Sequence, residues 1–168
     1  MYTLRPIKIF WQEGVSWAQT MLAVKTIYMV LRMVHMDEKI KVEIGGVFDP
    51  IMYADADTKD GFWFTPQRNH PDFISGSVYD AEVVYKNFFV KPVIGDEEYR
   101  AIFLMKDRIF LNTDNGKKII YGVTLDSNVI VACVYSEELF KTAQAKLAMF
   151  WLIIHEFGHL FGLQSPHR

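Results

Sequence analysis

Ile7, Ile9 and Trp11 alternate with Lys8 and Phe10 just after Pro6, and Ile40, Val42 and Ile44 alternate with Lys41 and Glu43. Alternation with a period of two predicts two strands, the second stopping at Gly45-Gly46. Between them Gly14 and Ser16 announce a helix. Ser16-Trp17-Ala18-Gln19 fits a capping box, and Leu22, Tyr28 and Leu31, with Met21, Val24 and Val34, keep an apolar face through about five turns. Strand, long helix and strand in that order predict a parallel crossover, which commits the chain to an α/β architecture.

Downstream, Asp49 to Pro71 holds turn formers and polar residues around Phe62, Trp63 and Phe64 with no period, which predicts a long loop. Asp55, Asp57 and Asp60 lie within it. The glycine and distal glutamate of a calcium loop are missing from their places, so these aspartates read as a solvated acidic loop. Ser77 to Phe89 has helical spacing, Ala101 to Met105 is a short apolar strand, and Asp114-Asn115-Gly116 is a turn. Ile119 to Leu125 and Val129 to Tyr135 predict a hairpin joined by Asp126-Ser127-Asn128. Ser136 then caps a final helix with Glu137 and Glu138 in its first turn. Its apolar positions are Leu139, Ala143, Leu147, Phe150, Trp151 and Ile154, and it runs to Gly162. No repeat or linker divides the sequence, so residues 1–168 are expected to form one α/β (α+β) domain. The expected architecture is a mixed twisted sheet of about five strands with a long backing helix and a second helix at the carboxyl end.

A net charge of −2 gives no electrostatic case for nucleic acid or an anionic membrane as a partner. The most apolar run, Leu147 to Ile154, is too short to span a bilayer, and the amino end lacks the apolar run of a secretory signal. The expected compartment is therefore cytoplasmic. The single cysteine, Cys133, excludes an intrachain disulfide, and its apolar setting marks it as a core residue rather than a reactive or metal-binding thiol.

Chemistry concentrates at the end of the last helix, in His155-Glu156-Phe157-Gly158-His159. Histidines four apart share one helical face, so both imidazoles can reach one metal ion while the glutamate flanks it. A zinc ion that hydrolyses peptides takes three protein ligands and keeps a water at the fourth corner. Coordination brings that water's pKa towards neutrality, and a neighbouring carboxylate accepts its proton and hands it to the leaving amine. In this division His155 and His159 are metal ligands and Glu156 is the catalytic base. The bland reading makes them two core histidines with ordinary hydrogen bonds and a solvent-facing glutamate. It is disfavoured because such groups are costly in a helix otherwise so apolar. Gly158 permits another element to approach the helix, and Gly162 ends it and turns the chain back towards the metal. His35, at a helix end, and His70, before Pro71, read as surface residues.

The string His155-Glu156-x-Gly158-His159-x-x-Gly162-Leu163 resembles the zinc-binding signature of the metzincin metallopeptidases and is most similar to that of archaemetzincins. Ile119-Ile120-Tyr121-Gly122 followed by Val129 to Ser136 resembles the paired strands before that family's active-site helix, and Ser77-Val78-Tyr79-Asp80-Ala81 is similar to its preceding helix. The resemblance implies a metzincin-like upper subdomain, one zinc ion (Zn2+), and hydrolysis of a peptide or protein substrate extended along Ile119 to Leu125. Metzincins carry a third histidine ligand three residues after the second glycine. That position is Ser165, a poor ligand, and His167 is taken as the third metal ligand. The family's second zinc site and methionine turn have no counterpart before Arg168, which implies an upper subdomain without the lower one. A partner or a homo-oligomer would then complete the cleft. The alternative is a catalytically impaired metzincin-like fold acting as a zinc-binding or protein-interaction module, with the 49–71 loop as its surface.

Overall fold

The computed structural model describes residues 4–49, 63–64, 78–86, 99–134 and 141–161. The period-two segments at the amino end form β1 (Ile7–Gln12) and β2 (Val42–Phe48), which pair in parallel across α1 (Trp17–Met33), as the crossover requires. The capping box opens α1 in full. Ser16 Oγ accepts from the Gln19 N–H at 3.1 Å, and Gln19 Oε1 accepts from the Ser16 N–H at 2.8 Å. β2 does not stop at Gly45-Gly46. The register slips between Ile9 and Phe10, and a Cβ on Gly45 would lie 2.5 Å from the Phe10 ring, so the glycine makes room for the aromatic and the strand continues.

The remaining elements in chain order are β3 (Trp63–Phe64), β4 (Val78–Asp80), α2 (Ala81–Tyr85), β5 (Arg100–Met105), β6 (Arg108–Thr113), β7 (Gly116–Ile120), β8 (Gly122–Leu125), β9 (Val129–Cys133) and α3 (Ala143–Leu160). Five strands form a mixed sheet ordered β2-β1-β5-β9-β8, with β8 antiparallel to β9 at one edge. The expected hairpin is thus present, and Asp126 and Ser127 take positive φ in its turn. A second sheet is ordered β3-β4-β6-β7, with Gly116 at positive φ in the expected β6–β7 turn.

Three expectations change here. Ile119 to Leu125 is not one strand: β7 ends at Ile120 and β8 begins at Gly122, in different sheets. The chain switches at Tyr121, whose carbonyl accepts from the Cys133 N–H at 2.6 Å. Ser77 to Phe89 is not one helix. Val78, Tyr79 and Asp80 are all buried as a strand, and Asp80 then caps the short α2 by accepting from the Glu82 N–H at 2.9 Å. The spacing of Val78, Ala81 and Val84 imitated a helix across that junction. Within the expected 49–71 loop, Trp63 and Phe64 form a strand antiparallel to Tyr79 and Val78, while Asp55, Asp57, Asp60 and His70 lie outside the described residues.

Alternation sorts the large sheet into two cores. Ile7, Ile9, Ile102, Leu104, Ile130 and Ala132 face α1 and α3, which pack side by side on one face. Ala101, Phe103, Met105, Val129 and Val131 face the other way, against Tyr79, Ala81, Val84 and Ile109 of the second sheet and α2. β5 and β9 are covered on both faces, which explains their unbroken apolar runs. Phe103 is 1% exposed, stacks on Phe10 at 5.0 Å and meets Phe48 edge-on at 5.2 Å. Phe103→Ala is expected to cost about 3–5 kcal/mol of stability, measured by denaturant unfolding. Cys133 is buried as expected, and burial pushes its thiol up to about 12, which puts the thiolate out of reach near neutral pH.

The last helix also departs from expectation. It begins at Ala143, and Thr142 rather than Ser136 is its cap, accepting from the Ala145 N–H at 3.1 Å. It ends at Leu160 with Phe161 as its C-cap, in keeping with the helix end expected at Gly162, which lies outside the described residues together with 135–140. Its buried face is Ala145, Met149, Ile153, Glu156, Phe157 and Leu160, whereas Leu147 and Trp151, expected in the core, are exposed. Large apolar residues lie on its exposed face as well as its buried one, so hydrophobicity alone could not select the face that meets the sheet. Among the described residues no helix is long and apolar enough to cross a membrane.

Candidate metal centre

The orientation of α3 decides what its motif presents. Leu147, Trp151 and His155 follow one another at four-residue spacing on the exposed side, and His159, one turn on, is partly buried. Their Nε2 atoms lie 3.2 Å apart, with the rings edge to face. At that distance either imidazole can donate to the other, depending on the tautomer. Two nitrogen ligands about 2.0–2.1 Å from a tetrahedral zinc stand roughly 3.3–3.4 Å apart. The pair therefore has the bite of such an ion, and its nitrogens fit one.

Glu156 turns the other way. It is 5% exposed and lies between α3 and the edge strand β8. Thr124 donates its hydroxyl to Glu156 Oε2 at 2.7 Å, and the same hydroxyl lies 3.0 Å from the Glu156 carbonyl. The other carboxylate oxygen, Oε1, is 3.9 Å from His155 Nε2. The carboxylate is thus anchored by one oxygen and presents the second towards the His155 imidazole, and it does not face solvent. Gly122 allows this approach. A Cβ there would lie 2.9 Å from Leu152 Cδ1 and 3.3 Å from Glu156 Cγ.

Thr124 and Gly122 had no part in the site as read from the sequence, where both fall inside the single strand expected over Ile119 to Leu125. Their spacing is the available signal, because residues two apart on a strand share a face, here the face that meets α3. Thr124→Val keeps the shape and removes the donor to a buried carboxylate. It is expected to lower stability by about 1.5–3 kcal/mol while Thr124→Ser stays near wild type, as thermal melts of the two variants will read.

His155 and His159 thus share one face of the α3 end, with the Glu156 carboxylate beside them. Ser165 and His167 lie outside the described residues. Among the described residues no group of three or more histidine, cysteine, aspartate or glutamate side chains is arranged to hold a metal. His35 is exposed just beyond α1 with φ 57°, a helix-ending position apart from this site.

A mixed sheet with an antiparallel edge strand, backed by two helices on one face, is an archaemetzincin-like α/β fold. The crystal structure of archaemetzincin from Methanopyrus kandleri superposes with a TM-score of 0.57 and 15% identity, over 97% of this chain and 77% of that one. The archaemetzincin from Archaeoglobus fulgidus, solved in complex with malonate, gives a TM-score of 0.57 and 11% identity, over 96% of this chain and 82% of its own. No protein-family model matches the sequence, and no curated protein matches it either.

Proposed function

We propose that this chain is a zinc-dependent metallopeptidase in which His155, His159 and His167 hold one zinc ion and Glu156 is the general base. The observation that carries the reading is the pair of Nε2 atoms 3.2 Å apart with a buried carboxylate oxygen 3.9 Å from one of them. The archaemetzincin-like fold supports it independently of the motif. Zinc, when bound, supplies a polarised water and an electrophile for the scissile carbonyl. Glu156 holds the proton taken from the attacking water and passes it to the leaving amine. Thr124 keeps Oε2 engaged, so Oε1 is the oxygen that receives the proton. The edge strand β8 offers main-chain groups to an extended peptide, shortening the 119–125 segment first expected for that role to Gly122–Leu125.

Metal analysis of the purified chain tests the reading. About one tightly held zinc per chain is expected, with a melting temperature that falls when the metal is stripped. A metal-free protein of unchanged stability would instead support the non-enzymatic interaction module. The observation favouring that second reading is that the described residues supply two imidazoles and no further ligand cluster.

A further inference from the structure

A second polar site lies at the amino ends of β1 and β5. The Arg100 N–H donates to the Pro6 carbonyl at 2.9 Å, and the Ala101 N–H donates to the Asn128 carbonyl at 2.9 Å. Arg5 Nη1 donates to Asn128 Oδ1 at 2.8 Å. These bonds gather Arg5, Arg100 and the β8–β9 turn at one end of the large sheet. The Arg100 guanidinium lies 4.9 Å over the ring of Phe161, which caps the end of α3. Phe161 follows His159 by two positions, so it points to the other side of that helix, about 200° round.

Arg100 is only partly exposed, and its Nε is buried with no hydrogen-bond partner, alone in this among the side-chain atoms of the described residues. Among those residues neither Arg100 nor Arg5 has a carboxylate partner. Burial, and then the charge of Arg5, push the Arg100 guanidinium below its ordinary range. A half-buried cation beside a second cation, with a donor facing no acceptor, is an unfavourable arrangement for a surface that stays empty. The guanidinium fork matches two oxygens of a carboxylate or a phosphate, and its flat face is already packed on an aromatic ring.

We propose that Arg100 and Arg5 form a binding site for a small oxyanion, a carboxylate or a phosphate, on the opposite side of the α3 terminus from the imidazole pair. The site uses no group of the metal centre. It is tested by thermal melting of the full chain in phosphate, in acetate and in chloride at matched ionic strength. Phosphate or acetate is expected to raise the midpoint saturably, by about 2–4 °C, over chloride, and which of them does so separates the two anion sources. Arg100→Met keeps the contact with Phe161 and removes the unpaired charge. Its midpoint in chloride is expected to equal or exceed wild type, and its response to either anion to vanish. Arg5→Gln is expected to weaken the response. An equal rise in Arg100→Met, or no rise in wild type, overturns the proposal. So does a lowered midpoint of Arg100→Met in chloride, which would make Arg100 a structural cation on Phe161. The Arg100 Nε–H resonance of the wild-type chain gives a second test. It is expected to shift on titration with phosphate or acetate, and a resonance unmoved by both overturns the site.

Discussion

Glu156→Gln is expected to leave zinc bound and to reduce peptide hydrolysis by roughly 10²–10⁴-fold, the range that a positioned acid–base group contributes. Glutamine has the same length and retains an oxygen that accepts the Thr124 hydroxyl, which now holds Glu156 Oε2 at 2.7 Å. The side chain is 5% exposed, so a neutral amide in its place avoids the burial of a charge and should not unfold the helix end. What the amide lacks is a basic oxygen able to take a proton. Zinc content, melting temperature and turnover on a peptide substrate are measured on the same preparation. Retained zinc with lost turnover assigns Glu156 as the base. Unchanged turnover removes it from the mechanism, and lost zinc would place it among the ligands instead.

How much of this was legible depends on the range over which each signal acts. The β1–α1–β2 crossover and the β8–β9 hairpin rest on local periodicity and turn chemistry, and Ser16 announced its own helix by a four-residue pattern. The start of α3 and its buried face were not legible in the same way. Leu147 and Trp151 are as apolar as Met149 and Ile153, and only the placement of the sheet decides which pair is covered. The break at Tyr121 is hidden for a related reason, since Ile119 to Leu125 alternates well enough for one strand while its halves pair with different partners. At the site, the three motif residues were legible because the helix itself brings them together. Thr124 was not, because it meets Glu156 only through pairing of β8 with β9 and packing of α3 across 32 positions of sequence. Glu156 was accordingly expected beside the metal, and its anchoring from the rear could be learned only from the fold.

His159→Asn is expected to reduce the zinc held by the purified chain from about one ion to below about a tenth, an affinity loss of at least about 100-fold. The two Nε2 atoms, 3.2 Å apart, reach one ion only as a pair, and His155 alone is an imidazole with a side chain 39% exposed that competes poorly with water for the metal. Because His159 is only partly buried, at the carboxyl end of α3, the substitution is expected to change stability in zinc-free buffer by no more than about 1 kcal/mol. The same variant should lose the stabilisation that zinc confers on wild type, about 2.7 kcal/mol at a free zinc concentration 100 times the dissociation constant. Melting curves with and without zinc therefore separate loss of a ligand from loss of fold. Equal zinc content in wild type and variant would overturn the ligand assignment. Applied to His167→Asn, the measurement resolves the third corner: a comparable loss assigns His167, and unchanged zinc leaves that corner to Ser165 or water.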